Sequence, residues 1–465
     1  MPPSKSNGGL DIAARLDRLP LAPLHWAISL ICALGLIFDL VEMVLSSALG
    51  AVFSAPPHQI APYRLALLLA SVFVGGAVAA PLVGAAADRR GRRVVLQGAL
   101  FGLAATSLLA AASTDVAWLT FFRVLSGVAL GAYPPLMVAY LADVLPPARR
   151  GMLIMITGAI GSLGAPGVIF FIRWLTPLQP LHLEAWRWAL LLGSVGAAAV
   201  AALFRCLPES PRWLAAVGRG GAADAACRRF ERSAAATPTR SATETASAMG
   251  SFEAPARLED DASIGKAKRR LWSAANRHHR PRVVLLVCLY FLTPWATVGF
   301  PLLSGAVLIE KGFRVTDSLL YLGVAMLGPT LGALAAALVI DRAERRTTLV
   351  LCGIAMALAA MVFAASATPA ALMLSSLAFT LVGAIYVGAL SIYGAELFPT
   401  AVRAAANASA WASNRVASAV APLVLLPLLK TGGAIIMTLA IAAALAAATA
   451  LVAFGPRGLA RRPVE

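Results

Sequence analysis

Apolar stretches of roughly 20 residues recur from one end of this 465-residue chain to the other, each long enough to cross a hydrocarbon core of about 30 Å at about 1.5 Å per residue. Twelve spans are expected, at about 24–50, 63–87, 94–113, 116–141, 152–173, 186–206, 282–305, 318–340, 348–366, 370–394, 404–429 and 433–454. With 59% hydrophobic residues, 13% charged residues and a mean hydropathy of +0.79, the chain has too little polar cover for a water-soluble fold. The fold class expected is an all-α membrane protein. The first span is too long for a signal-peptide core and no small-residue cleavage site closes it, so it is expected to stay in the protein.

The net charge of +17 does not point to nucleic acid, because the basic residues gather in alternate loops: Arg89, Arg90, Arg92 and Arg93; Arg149 and Arg150; the segment 205–282; Arg342, Arg345 and Arg346; Arg403; and Arg457, Arg461 and Arg462. By the positive-inside rule these loops and both termini face the cytoplasm, where contact with anionic lipid headgroups is expected. Low Lys with abundant Ala and Arg suggests a bacterial inner membrane. Cys32, Cys206, Cys227, Cys288 and Cys352 show neither paired nor metal-type spacing, and no disulfide, metal or cofactor is expected. His278 and His279 read as part of a basic surface strip, RRLWSAANRHHRPR, and not as a metal site.

The chain repeats itself in one register. GAAADRRGRR (84–93) is echoed by ALVIDRAERR (337–346), with Asp88 and Asp341 253 residues apart (341 − 88). YLADVLP (140–146) returns as YGAELFP (393–399), and Arg150 maps onto Arg403, at the same offset. Six spans lie within one repeat, an even number, so both halves share one orientation and are related by an axis along the membrane normal. The divisions expected are a first six-helix bundle over 1–206, a cytoplasmic linker over 207–281 with short amphipathic helices followed by a mobile stretch, and a second six-helix bundle over 282–465.

Charged residues inside the spans define the candidate site. Asp39 and Glu42, in LIFDLVEM, point to nearly the same side of the first span. A carboxylate at membrane depth is costly, so it should face the bundle interior and hold either a partner or a proton. Counting residues from the span ends places Asp39 and Arg123, in the fourth span, at similar depth, and Asp39 is expected to alternate between a salt bridge with Arg123 and a protonated state. Burial raises a carboxyl's affinity for protons and a nearby guanidinium lowers it. A fixed pair that only holds two helices together is the alternative. Glu42, a turn nearer the outside, reads either as a second coupling acid or as a solvated vestibule group. Arg415 lies near the middle of the eleventh span, with no acid between Glu396 and Glu465, and could grip a substrate carboxylate through two parallel hydrogen bonds; pairing with Asp39, Glu42 or backbone carbonyls is the alternative. Tyr133, Tyr290, Trp295, Tyr386, Trp411, Asn407 and Asn414 complete the candidate cavity, where a flat ring could stack. The glycine-rich GAIGSLGAPG (158–167), and Gly127 with Gly131, read as close helix contacts and not as a phosphate loop.

GAAADRRGRR, RVLSGVALGAYPPLMVAYLADVLPPARRG (123–151), PESPRWL (208–214) and YGAELFPTAVR (393–403) together resemble the major facilitator superfamily. RLDRLPLAPLHW (15–26), FDLVE and ASAWASNRVASAVAPLV are similar to the proton-linked metabolite and aromatic-acid symporters of that superfamily, a branch with niacin-type, synaptic-vesicle-2-like and organic-anion carriers. The resemblance implies twelve helices in two six-helix bundles, and proton-coupled transport of a small organic acid by alternating access, with an acid in the first span and an arginine in the fourth serving the proton. It also implies a cytoplasmic gate formed by Asp88, Arg89, Gly91, Arg92, Asp143, Arg150 and Glu209, repeated by Asp341, Arg342, Glu396 and Arg403. Glu42 stands where that branch has a second acid, and Leu40 where it has Gly. Partners are then a small-molecule substrate, protons and lipid, with a monomer expected. The alternatives are sugar or polyol symport, drug efflux, and a membrane sensor built on the carrier fold; no enzyme-type constellation is present in the sequence.

Overall fold

The computed structural model describes residues 7–131, 133–236, 280–339, 344–398 and 400–456, and within these it does not describe the side chains of 7–11, 80, 81, 148, 337–339, 395 and 400–408. All regular structure among them is helical: α1 (Asn7–Asp17), α2 (Pro23–Ser54), α3 (Pro62–Arg90), α4 (Arg92–Ala111), α5 (Val116–Leu130), α6 (Tyr133–Val144), α7 (Pro147–Ser162), α8 (Gly164–Leu175), α9 (Ala185–Leu203), α10 (Pro211–Ala216), α11 (Gly220–Ala235), α12 (280–297), α13 (Gly299–Glu310), α14 (Val315–Ala325), α15 (Gly328–Val339), α16 (Arg345–Ala365), α17 (Pro369–Glu396) and α18 (Thr400–Phe454). His278, His279 and the rest of the basic strip before residue 280 lie outside the described residues, as does the stretch expected to be mobile from residue 237 on; the first residues of that stretch, Ala234 and Ala235, are helical in α11.

Eleven apolar stretches among the described residues are long enough to cross a membrane, and the last, Ser409–Phe454, is 46 residues long. At about 1.5 Å per residue it would run more than twice the hydrocarbon thickness, and it breaks at Gly433, whose φ of 70° is open to glycine. Gly455, near its end, packs on Tyr393 and Leu285, and the Tyr393 hydroxyl donates to the Pro456 carbonyl at 2.8 Å. The end of α18 therefore returns to the end of the bundle at which α17 finishes, and the stretch makes two crossings, twelve in all. Four crossings are themselves broken partway, between α5 and α6, α7 and α8, α12 and α13, and α14 and α15.

The repeat seen in the sequence is repeated in the packing. Gly75 of α3 presses on α5, and Gly328 of α15, 253 residues on, presses on α17. A Cβ at either would lie 2.8 Å from the Val128 nitrogen or 2.6 Å from the Leu381 nitrogen, so a larger residue would force the helices apart. Gly131 meets the Gly76 backbone, and Gly164 lies against the Ile37 backbone, as expected for close helix contacts. Helix C-termini are capped in parallel fashion: Arg187 donates to the carbonyls of Ala111 and Ser113, both at 2.7 Å, while Lys311 donates to Ala364 and Ser366 at 2.7 and 2.6 Å. A cation at each exposed carbonyl cluster stabilises the helix end.

The two six-helix bundles meet along α3 and α18 and, at the end remote from the arginine clusters, through α2 with α13 and α8 with α14. There Gly50 approaches the Leu302 carbonyl, and Arg173 Nε donates to the Thr316 carbonyl at 3.2 Å. Midway, the hydroxyls of Ser162 and Thr330 are 2.7 Å apart.

Candidate functional site

In α2, residues 39 and 42 lie three apart on a helix that is packed on several sides, and both side chains are buried. The partner of Arg123 is Glu42, not Asp39. Arg123 Nη1 is 3.1 Å from Glu42 Oε1, and Nη2 donates to the Glu42 carbonyl at 2.9 Å and to Ser46 Oγ at 2.6 Å. Ser107 Oγ donates to the other Glu42 oxygen at 3.3 Å. Glu42 is 3% exposed and Arg123 fully buried, so the vestibule reading of Glu42 is overturned. The four groups form a buried, hydrogen-bonded polar cluster inside the first bundle, in which Arg123 Nε lacks a partner among the described residues, of the kind that holds helices in one arrangement.

Asp39 is different. It is fully buried and neither carboxylate oxygen has a hydrogen-bond partner among the described residues. Arg415 lies within electrostatic reach of Asp39, as does Glu42, without forming a salt bridge to it among the described residues. Arg415, half-buried in α18, donates no hydrogen bond to any described residue, and its guanidinium lies 5.7 Å from the Trp411 ring, within cation–π range. Trp411 in turn meets Tyr290 edge to face at 5.8 Å. Asp39 and Arg415 come from opposite bundles.

A cavity of about 410 Å³ opens between the bundles, lined from α2, α3 and the α12–α17 region. None of the substrate-binding residues singled out from the sequence lines it, Arg415 included, and neither does Asp39. Its walls are Leu40, Met43, Val44, Phe73, Phe379 and similar apolar groups, with Ser47, Thr297 and Thr380 as the hydroxyls. Thr297 and Thr380 already donate to backbone carbonyls, Thr293 at 3.1 Å and Ala325 at 2.5 Å. Tyr133 instead packs within the first bundle, its hydroxyl donating to the Cys32 carbonyl at 3.3 Å. Trp295 Nε1 and the Tyr386 hydroxyl, the latter beside Thr293 but outside hydrogen-bond geometry, are buried donors without partners among the described residues. Asn414 is half-buried; the side chain of Asn407 is not described.

At the arginine-rich end, Gly91 (φ 106°) turns the chain between α3 and α4, and a Cβ there would run into the Glu209 carboxylate. Glu209 accepts from the backbone nitrogens of Arg93 and Val94 at 3.0 and 3.4 Å, capping the N-terminus of α4 where an anion is favoured. Arg92 pairs with Asp143, which also accepts from Ser210 at 2.7 Å. Trp213 Nε1 donates to the Asp88 carbonyl at 3.0 Å, binding PESPRWL to the same corner. The Asp88 carboxylate is exposed and makes no ion pair among the described residues, and Arg89 is exposed as well. Arg150 donates to the Leu145 carbonyl at 3.2 Å. In the second bundle Arg345 lies 3.2 Å from Glu396, the same two positions as Arg92 and Asp143 shifted by one repeat. Asp341 and Arg342 lie outside the described residues, as does the side chain of Arg403.

Two six-helix bundles related by a repeat, with a cavity between them and charged groups buried at membrane depth, define a multi-pass membrane carrier. Residues 45–457 match the sugar (and other) transporter family, and the chain belongs to that family, within the major facilitator superfamily. It is 25% identical over 417 residues to the niacin transporter of Acinetobacter baylyi, covering 89% of this chain and 90% of that one. It is 32% identical over 189 residues to the arabinose-proton symporter of Bacillus subtilis, covering 40% of each. The partially occluded, inward-open xylose transporter XylE of E. coli shares the fold, with a TM-score of 0.71 at 19% identity, covering 93% of this chain and 98% of that one.

Proposed function

We propose that this protein carries a small organic acid with an aromatic or similarly apolar body, together with protons, across the inner membrane of a bacterium. The observation that carries the reading is Arg415, a guanidinium that hydrogen-bonds to no described residue, in a carrier whose inter-bundle cavity has apolar walls, although Arg415 is not itself one of the residues lining that cavity. A carboxylate is the natural partner of such a group, which can hold it through two parallel hydrogen bonds. A sugar needs a donor or acceptor for each hydroxyl it brings out of water, and each one left unpaired costs about 1–3 kcal/mol. Two of the three cavity hydroxyls are already engaged on backbone carbonyls, which weighs against sugar. The niacin transporter among the relatives supports the acid; the family's description and the arabinose symporter favour sugar as the second reading.

Proton coupling is assigned to Asp39. A buried carboxylate without hydrogen bonds must be paired or carry a proton, and Arg415 can serve either Asp39 or a substrate carboxylate. Occupation of Arg415 by substrate leaves Asp39 uncompensated and favours its protonation, which links the two cargoes. Arg123 and Glu42 keep the first bundle rigid beneath this exchange. With the basic loops and the termini taken as cytoplasmic, the contacts of α2 with α13 and of α8 with α14 close the outer end, and the carrier faces inward. Alternation would re-form contacts at the Arg92, Asp143, Arg345 and Glu396 corners.

A thermal-shift screen of the purified protein tests the substrate class, because a ligand that prefers the folded state raises its Tm. Nicotinate or 4-hydroxybenzoate should raise it and xylose should not, and Arg415→Ala should abolish the shift. A shift with xylose alone would overturn the reading.

A further inference from the structure

We infer that the junction of α11 with the start of α2 is a binding site for one anionic phospholipid, with its phosphate between Arg229 and Arg232. A groove there is lined by Pro23, Leu24 and Ala27 of α2 and by Arg229, Arg232 and Ser233 of α11. The junction is firmly built. Leu24 N donates to Ser233 Oγ at 3.1 Å, and the buried His25, which accepts from Ala22 N at 3.0 Å, packs its ring 5.2 Å from Phe230.

Charge selects the occupant. The acids of α11 are already spoken for, since Arg15 binds Asp224 and Glu231 at 2.8 and 2.9 Å and Arg228 also binds Asp224 at 2.8 Å. Arg229 and Arg232 are the α11 arginines with no acidic partner among the described residues, and both line the groove. Arg229 is held in place by donating to the Cys206 carbonyl at 2.7 Å. Depth selects a lipid over a soluble anion. Trp26 and Leu30 lie exposed on the same turns of α2, and an exposed Trp at a span end marks the headgroup level. From Pro23 through Ala27 to Leu30 the exposed face runs from the arginines into the apolar slab, giving the acyl chains a track below the phosphate. This site is independent of the substrate assignment.

The test is native mass spectrometry of the full-length protein in detergent, titrated with phosphatidylglycerol or phosphatidylcholine. Wild type should retain phosphatidylglycerol in preference. Arg229→Gln and Arg232→Gln should weaken it by about fivefold each, the scale of one basic residue at an anionic surface, while Arg228→Gln, outside the groove, should leave it unchanged. Ala27→Trp, which fills the groove without changing charge, should also release the lipid and guards against a folding defect in the arginine variants. Equal loss in Arg228→Gln, or retention in both Arg229→Gln and Arg232→Gln, would overturn the site. Displacement by soluble glycerol phosphate at matching concentration would show a free-anion site and overturn the lipid assignment.

Discussion

The Arg123 guanidinium sits 3.1 Å from the Glu42 carboxylate, and Asp39, one turn of α2 away, has no hydrogen bond to any described residue. The two acids of one helix are thereby given different work. One is fixed within its bundle; the other faces a charge on the opposite bundle, which moves relative to it whenever a two-bundle carrier alternates.

Stability separates the two acids. Removing one partner of a buried, hydrogen-bonded ion pair costs about 3–5 kcal/mol, so Glu42→Ala and Arg123→Ala should each lower the unfolding temperature sharply in detergent. Asp39→Asn breaks no hydrogen bond and should leave that temperature nearly unchanged. Differential scanning fluorimetry of the three variants checks this; a large loss for Asp39→Asn would mean that Asp39 is structural.

The corner where Glu209 caps α4 makes a second prediction. Glu209→Ala removes the acceptor for the first amides of α4, a capping loss of about 1 kcal/mol. Hydrogen exchange should quicken in the first turn of α4 and leave α16 unaffected. Unchanged protection at Arg93 and Val94 would contradict the cap.

Acid should release the N-terminal helix. Arg15, through its hydrogen bonds, holds the Glu231 and Asp224 carboxyls below the ordinary carboxylate range. A lowered folded-state pKa means that the contribution is complete above the unfolded value, about 4, and is lost as pH falls through the lowered one. Arg15 stays charged throughout. Amide protection in α1 should therefore hold from neutral pH down to about 4 and decline below it, and Glu231→Gln should reduce it already at neutral pH. Protection that rises on acidification would contradict the contact.

Close approach of α15 and α17 gives a fourth. Gly328→Leu places a side chain against the Leu381 backbone, and overpacking of this kind costs about 1–3 kcal/mol. Gly218→Ala offers a control, since nothing lies within 4 Å of its Cβ and only its φ of 78° is strained. A melting temperature lowered more by Gly218→Ala than by Gly328→Leu would contradict the packing.

Much of this architecture could be read from the sequence because hydropathy marks each crossing and the 253-residue register ties the halves together. The partner of Arg123 could not. Glu42 is about 4.5 Å along the helix axis from Asp39, less than the reach of an arginine side chain, so depth alone does not choose between them. Ser46, one helical turn beyond Glu42 on the same face, was the available signal. The cavity was missed for another reason: Leu40, Met43, Val44 and Phe379 look like ordinary packing residues, and only the meeting of the two bundles makes them walls. Tyr133 was an attractive ligand group by composition, yet Gly35 leaves room for it inside the first bundle.

The most direct test is uptake of a radiolabelled aromatic carboxylate by proteoliposomes under an inward proton gradient. Wild type should accumulate the acid above equilibrium, Asp39→Asn should exchange it across the membrane without accumulating it, and Arg415→Ala should do neither. Full accumulation by Asp39→Asn, or gradient-driven uptake of xylose with none of the acid by wild type, would contradict the account.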